Sequence, residues 1–301
     1  MINKQTVYSR IALFSAALIW GSSFFIVKNS VEVFQPFTLM SIRFVVAFIV
    51  MSLIFYKSYK NISKSHVIRG MIMGGFLFAA QATQTVGILT TTPGKNAFLT
   101  TIYCVIVPFL HWFVDKKKPD TSNAVAGMLC LVGLGLVSLN ESFNIKIGDT
   151  LTIISGILYA GHIVSVEKSG RNHDIILLTV LQMGTTAVCS VVCCLIFEKF
   201  PGSVDLSTGL SVAYLALGVT MLAFLLQNIG QKNTNPSEAS IILCLESVFG
   251  VLFSIIFYGE ILTIRLFIGF VIIFIAIILS ETKLKFFIRV ENEIENDEPS
   301  Y

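Results

Sequence analysis

The chain has 301 residues, of which 54% are hydrophobic and only 13% are charged, about half the charged fraction of an ordinary soluble domain. Its mean hydropathy of +0.81 excludes an ordinary soluble enzyme and indicates a polytopic membrane protein. The net charge of +3 is uninformative as a total, and no nucleic-acid partner is expected.

Ten stretches are apolar and long enough to form helices that cross about 30 Å of hydrocarbon, which takes roughly 20 residues. They run approximately over 10–28, 36–56, 67–89, 93–114, 122–140, 148–167, 174–197, 207–230, 237–258 and 264–281. A transmembrane β-barrel would show short segments of alternating polarity, whereas 267–279 is apolar on every face. The sequence therefore predicts an all-α membrane protein with ten transmembrane helices and no soluble catalytic domain.

The distribution of Lys and Arg predicts the orientation in the membrane. If the N-terminus is cytoplasmic, 15 Lys and Arg residues lie in cytoplasmic segments and 5 lie on the other side, with Arg43 inside a span. We therefore expect a multi-pass protein of the cell membrane with both termini in the cytoplasm. The acidic segment 286–301 lacks apolar residues and is expected to be a disordered cytoplasmic tail.

The second half of the chain repeats the first. A shift of 143 residues aligns 84–93 (QTVGILTTTP) with 227–236 (QNIGQKNTNP), with four of ten positions identical. A shift of 139 pairs Trp20 with Tyr159 and Arg43 with Gln182. We therefore expect one five-helix repeat over 1–143 and a second over 144–285. An odd number of crossings per half gives the two repeats opposite orientations, as in many secondary transporters.

Several fragments then resemble one family. The first span contains ALIWGSSF (17–24) and is followed by Pro36 and by Arg43 with Phe44. Later come YCVIVP (103–108), KKKP (116–119), LESVF (245–249) and YGE (258–260). In order and spacing these resemble an EamA-type transporter of the drug/metabolite transporter superfamily, over nearly all of residues 10–281. The resemblance implies that the fifth and tenth spans are supporting helices outside the transport pathway. The family often has Pro after the glutamate of the ninth span, whereas this chain has Ser247, so a kink there would depend on Gly250.

Ionisable groups within the membrane are costly and usually face a cavity or a partner. Glu246 is a candidate proton carrier or contact for a substrate amine, and the alternative is a protonated glutamate bonded to a neighbouring helix. His162 suits a gate or relay, or a structural hydrogen bond between helices. Arg43 needs an acceptor in the protein or an anionic substrate.

Aromatic and amide side chains complete the candidate pathway. Trp20 and Tyr159 could form aromatic walls, and the alternative is simple packing. The amides of the third and eighth spans recur at one-turn spacing and must face protein or water rather than lipid. The full set of substrate-pathway candidates is Trp20, Arg43, Gln81, Gln84, Tyr103, Tyr159, His162, Gln182, Gln227, Gln231 and Glu246.

The leading functional prediction is a secondary-active transporter of a small metabolite, such as an amino acid, purine or drug-like solute. We expect an exporter that works by alternating access, with a proton or a second solute moving in the opposite direction. The sequence is compatible with a homodimer. The alternatives are a non-transporting receptor or scaffold, or an intramembrane enzyme, for which neither HExxH nor GxSxG is present. All six cysteines lie in spans, so no disulfide, metal or cofactor is expected.

Overall fold

The structure, a computed structural model, describes residues 4–116, 121–138, 146–199, 204–232, 234 and 236–282. In this part of the chain ten long helical segments follow one another, with a short 3-10 helix, Tyr56–Asn61, after the second. The expected tail at 286–301 lies outside the described residues. The ten segments are α1 (Lys4–Ser30), α2 (Pro36–Ile54), α3 (Lys64–Gly87), α4 (Pro93–Thr100 and Tyr103–Asp115), α5 (Thr121–Ser138), α6 (Ile147–Gly170), α7 (Ile175–Phe197), α8 (Leu206–Tyr214, Leu215–Leu222 and Ala223–Lys232), α9 (Pro236–Phe253 and Ser254–Tyr258) and α10 (Ile264–Thr282).

Most of these segments are apolar enough to cross a bilayer. Six are long and apolar: Val7–Ser30, Pro36–Ile54, Pro93–Val114, Ile147–Gly170, Ile175–Phe197 and Leu206–Lys232. Three are shorter apolar helices: Val125–Val137, Ile242–Tyr258 and Ile264–Leu279. The remaining segment, α3, has 24 residues but carries Gln81, Thr83, Gln84 and Thr85 in its second half. These polar residues lower the mean hydropathy of α3 below that of the six long apolar spans.

Helix starts follow from local chemistry. Pro36 and Pro93 stand in the first turns of α2 and α4, where a missing N–H costs little. The Thr92 side chain caps α4 by accepting from the Lys95 N–H. At α2 the cap comes from another helix: the Glu198 carboxylate, just after α7, accepts from the N–H groups of Phe37 (2.9 Å) and Thr38 (2.6 Å). This contact ties the two helices together at one end.

Three spans depart from a continuous α-helix. α4 is interrupted at Thr101 and Ile102, α8 contains a π-helical stretch, Leu215–Leu222, and α9 ends in another, Ser254–Tyr258. α9 runs as an α-helix through Ser247 and Gly250 to Phe253, so neither residue ends the helix. Gly250 instead permits close packing, because an added Cβ would lie 2.4 Å from the Cβ of Ala97. The interruptions in α4 and α8 both fall beside the central cavity.

The pattern of helix packing stays the same when the two halves of the chain are exchanged. In this exchange α1 corresponds to α6, α2 to α7, α3 to α8, α4 to α9 and α5 to α10. α2 packs against α7 and α5 against α10. α1 packs against α9 as α6 packs against α4, and α3 packs against α6 as α8 packs against α1. With five helices in each half, the exchange inverts the second repeat relative to the first. α5 and α10 lie together beside the other eight helices, as expected for supporting helices.

Atomic contacts repeat with the same two shifts. A Cβ on Gly87 would meet the Gly148 carbonyl and the Thr152 hydroxyl, each at 2.9 Å. At Gly230, which is 143 residues later, a Cβ would meet Leu13 at 2.6 Å and the Ser9 carbonyl at 3.1 Å. Thr152 and Gly148 are 139 residues after Leu13 and Ser9. The same close crossing is thus built once in each half.

The cysteines are placed mostly as expected. Cys130, Cys189, Cys193 and Cys194 are free. Cys104 and Cys244 depart from the expectation, because the structure joins their sulfurs where α4 crosses α9, with the Cα atoms 7.3 Å apart. This Cα separation exceeds the roughly 4.4–6.8 Å that is usual for a disulfide. The pair marks how closely the two symmetry-related helices approach at the centre of the bundle.

Candidate functional site: a polar cavity between the two repeats

A cavity lies where the two repeats meet. Its walls come from α1, α2, α3, α4, α6, α8 and α9. Eight of the eleven predicted pathway residues line it: Trp20, Arg43, Gln81, Gln84, Tyr103, Tyr159, Gln227 and Glu246. Apolar walls with a few converging polar groups are typical of a small-molecule site.

A chain of hydrogen bonds runs along one wall of the cavity. Gln81 Nε2 donates to the Tyr159 hydroxyl (2.6 Å), which donates to Gln84 Oε1 (3.1 Å). Gln84 Nε2 then donates to the Thr100 hydroxyl (2.9 Å). The one-turn spacing of the two glutamines on α3 places both amides on the same face, as the sequence predicted. The chain fixes the orientation of every amide and hydroxyl in it.

The buried carboxyl of Glu246 meets its own symmetry mate. The Tyr103 hydroxyl donates to Glu246 Oε1 at 3.0 Å, and the two residues are 143 positions apart. Glu246 is 4% exposed and Tyr103 is also 4% exposed. The Tyr103 ring stands edge-on to the Tyr159 ring, with centroids 6.5 Å apart. The carboxyl therefore sits on the pseudo-twofold axis, next to the wall of amides.

The π-helical stretch of α8 supplies partners for the opposite wall. Arg43 Nε donates to the Thr220 hydroxyl (3.1 Å), and Trp20 Nε1 donates to the Val219 carbonyl (3.1 Å). The Thr220 hydroxyl in turn donates to the Leu215 carbonyl five residues earlier. A π-helix widens the turn and leaves carbonyls available to side chains, which is why such stretches are frequent at functional sites. Among the described residues, Arg43 and Glu246 line the same cavity without forming an ion pair.

Three predicted residues do not line this cavity. His162 is fully buried and its Nε2 lies 3.0 Å from Gln182 Oε1, so the two residues join α6 to α7. The His162 ring stands edge-on to Phe224, which itself lines the cavity. Gln231 lines a second cavity, at the end of the bundle. Symmetry therefore breaks at α7: Arg43 faces the cavity, while its mate Gln182 faces His162.

Asn96 and Thr100 of α4 line the cavity but were missing from the predicted set. Asn96 Nδ2 donates to the Thr152 hydroxyl (2.8 Å), and the buried Asn96 Oδ1 has no partner within the described chain. Gln227 Oε1 is likewise buried without a partner. The one-turn spacing of Asn96 and Thr100 was a usable signal in the sequence, whereas nothing there marked the π-helical stretch.

The cavity offers hydrogen bonds and both signs of charge, but no metal site. Among the described residues, no group of three His, Cys, Asp or Glu side chains is placed to hold a metal ion. An unpaired buried amide oxygen is costly unless a ligand or water bonds it. Asn96 and Gln227 therefore present two places at which a bound solute would be hydrogen-bonded.

Comparison with known proteins agrees with this geometry. The model of the EamA-like transporter family matches the chain twice, over residues 8–139 and 146–282. The chain belongs to the EamA-like transporter family. The two matches correspond to the two sets of five helices, and the resemblance inferred from the sequence motifs is confirmed.

Relatives of this EamA-like protein are also described as transporters. It is 30% identical to an "uncharacterized transporter" of Archaeoglobus fulgidus over 91% of this chain and 86% of the relative. It is 22% identical to the "uncharacterized inner membrane transporter YedA" of Escherichia coli, over 84% of this chain and 83% of the relative. It is also 22% identical to the "uncharacterized transporter YoaV" of Bacillus subtilis, over 87% and 93%. A solved crystal structure that is 16% identical shares the fold, with a TM-score of 0.70 over 92% of this chain and 98% of that one.

Family membership decides between the function classes. An EamA-like protein is a multi-pass membrane transporter, so the intramembrane-enzyme alternative is excluded. Its partners include a solute and the lipid bilayer.

Proposed function

We propose that the protein is a secondary carrier that exports a small metabolite across the cytoplasmic membrane by alternating access. The observation that carries this proposal is the position of the cavity: buried polar groups from both repeats converge where the repeats meet. Carriers built from inverted repeats bind their solute at such an interface and expose it to each side in turn. The repeat boundary near residue 143 is part of the same proposal.

The charges in the cavity favour an amino acid over the other solute classes. Arg43 and Glu246 are both almost fully buried and line one cavity without pairing with each other. An α-amino acid carries a carboxylate for the guanidinium and an ammonium for the carboxyl. A purine or a cationic drug would engage one of these charges at most, and a buried charge left without a partner opposes binding.

Energy for export would come from a gradient. The sequence has no GxxxxGK[ST] loop for a nucleotide. Glu246 can hold a proton or the ammonium group of a solute, and it cannot hold both at once. Competition for one carboxyl couples the two in opposite directions, which is proton antiport; a second solute could take the place of the proton.

The proposed location and orientation rest on two observations. The relative YedA is described as an inner membrane transporter, which supports placement in the cytoplasmic membrane. The excess of Lys and Arg at the end of the bundle that holds the N-terminus supports cytoplasmic termini.

Counterflow in proteoliposomes tests the proposal. Liposomes preloaded with unlabelled solute are diluted into labelled solute of the same kind, using amino acids, a purine base and a cationic dye in separate assays. We expect uptake above protein-free liposomes for at least one amino acid, and loss of that uptake in Arg43→Gln. A folded protein that gives no counterflow with any solute class would favour the receptor or scaffold alternative instead.

A further inference from the structure

A second cavity opens at the end of the bundle that holds the N-terminus, here called the amino-terminal end. It separates the end of α6, with Glu167 and the following residue Arg171, from the last turns of α8, with Asn228, Gln231 and Lys232. The central cavity and this one share no lining residue. The two helices that face each other across it correspond by symmetry to α1 and α3.

The matching place at the opposite end of the bundle is closed. There Lys28, at the end of α1, donates from Nζ to the carbonyls of Ile88 (2.7 Å), Leu89 (3.0 Å) and Thr91 (3.1 Å). These three carbonyls follow α3, whose last C=O groups lack partners within the helix. The ammonium thus fastens the end of α1 to the connection between α3 and α4. Val27 and Ile88, which flank this contact, line the central cavity.

Applying the two repeat shifts to the residues of the Lys28 contact gives residues that line the second cavity. Lys28 corresponds to Glu167 by the shift of 139, and Leu89 and Thr91 correspond to Lys232 and Thr234 by the shift of 143. Glu167 is an acceptor, so it cannot bond the carbonyls that Lys28 bonds. It needs a cationic donor at the end of α8, and Lys232, the last residue of α8, is at that position.

In the present state these two charges do not meet. Glu167 instead pairs with His111 Nε2 (3.0 Å) and with Arg171 (2.5 Å), whose side chain is 61% exposed. A carboxylate has lone pairs for a further donor, and Lys232 is exposed. Asn228 shows that hydrogen bonding at this end is incomplete. Its Nδ2 donates to the Thr179 hydroxyl (2.8 Å), whose own proton goes to the Ile175 carbonyl, so the buried Oδ1 of Asn228 is the amide atom that has no partner among the described residues.

We infer that Lys28 and the pair Glu167–Lys232 are alternating latches, one at each end of the bundle. The inference rests on the proposed transport by alternating access. In the state seen here Lys28 holds the opposite end together, and a cavity lies between Glu167 and Lys232 at the amino-terminal end. In the other state Lys28 releases its three carbonyls, α6 moves onto the end of α8, and Glu167 forms an ion pair with Lys232. Each latch stabilises one state only, so removing either one shifts the population toward the other.

A thiol reporter at Val27 tests both latches without a solute. Val27 is 8% exposed and flanks the Lys28 latch, so a cysteine there becomes accessible when the opposite end opens. The full-length Val27→Cys protein is purified in detergent, with Cys189 and Cys193 changed to serine, and its labelling rate with a water-soluble maleimide is measured. Lys28→Met should raise the rate about tenfold, because three charge-assisted hydrogen bonds are lost. Loss of a neighbouring cation alone would slow labelling, since it disfavours the thiolate.

Variants of the second latch should change the rate in the opposite direction. Lys232→Gln and Glu167→Gln should each slow labelling of Val27→Cys about two- to fivefold, as for a partly exposed ion pair. Lys232→Gln is the sharper variant, because Lys232 is exposed in the present state and its loss acts through the other state.

Exposed lysines provide the controls: Lys199→Met at the opposite end and Lys64→Gln at the amino-terminal end should leave the rate unchanged. The inference is overturned if Lys28→Met labels no faster, or if Lys232→Gln and Glu167→Gln both label at the unaltered rate. The result is independent of flux. Proteoliposomes without transport, beside the expected labelling pattern, would refute the proposed function and leave the latches in place.

Discussion

Replacing Glu246 by glutamine separates coupling from binding. Glu246 is 4% exposed, and the Tyr103 hydroxyl donates to it at 3.0 Å. A glutamine keeps the side-chain shape and its Oε1 still accepts from Tyr103, so the fold should be retained. What the substitution removes is titration and negative charge.

The expected magnitudes differ for the two roles. A proton exchanged for each solute across a gradient of about one pH unit supplies about 1.4 kcal/mol, which corresponds to roughly tenfold accumulation. Glu246→Gln cannot carry that proton, so accumulation should fall to equality of the two compartments. Binding should suffer less: a charge-assisted hydrogen bond to an ammonium is roughly twice as strong as a neutral one, so we expect a loss of about 1 kcal/mol, near fivefold in apparent affinity. Exchange at saturating solute should therefore persist.

The assay compares accumulation driven by a pH gradient with solute exchange, in the same proteoliposome preparation. Glu32→Gln is the matched control, because Glu32 is an exposed carboxylate in the connection after α1. His162→Ala should alter gradient dependence less than Glu246→Gln, since His162 bonds Gln182 outside the cavity. A Glu246→Gln protein that still concentrates solute on a proton gradient would assign Glu246 to structure and refute this account of coupling.

Three further results are expected. A cysteine at Lys146 should react with an impermeant thiol reagent in intact cells, and labelling only after permeabilisation would reverse the proposed orientation. Gln84→Leu and Gln227→Leu should each reduce flux about tenfold at near-normal expression, because each removes an amide from the shared cavity; normal flux in both would contradict a shared solute site. Gly74→Ala should destabilise the protein by about 1–3 kcal/mol in thermal unfolding, because its Cβ would lie 2.5 Å from Thr185, whereas Gly75→Ala meets no atom within 4 Å and should be neutral or slightly stabilising.

The sequence was sufficient for the fold because membrane helices are specified by composition over about 20 residues. It was also sufficient for much of the site, since amide and charged side chains in a hydrophobic span are costly against lipid and therefore face the interior of the protein. The separation of Tyr103 and Glu246 equals the repeat shift, which makes them symmetry mates, but symmetry mates meet only beside the axis, so their contact needed the structure. Asn96 and Thr100 carried the same one-turn signal as the amides of α3.

The remaining features depend on packing that no local pattern encodes. In the π-helical stretch, Val219 and Thr220 bond Trp20 and Arg43. No characteristic composition marks such a stretch, because an apolar helix can take in one extra residue wherever contacts with a neighbouring side chain stabilise the wider turn. Whether His162 faces the cavity or Gln182 depends on how α6 is rotated about its axis, which periodicity along a uniformly apolar helix does not determine.

The difference between the two ends of the bundle has another origin. A repeat aligned to itself predicts two equivalent ends, yet under the proposed alternating access the two ends are never open at the same time. Lys28 and Glu167 occupy equivalent positions with opposite charges, so the chain can close its two ends by different contacts and adjust their strengths independently. The balance between the two states is then set by the difference between the two latches. Exact symmetry would fix that balance at equality, so the Lys–Glu exchange gives the protein a means to favour one direction of opening.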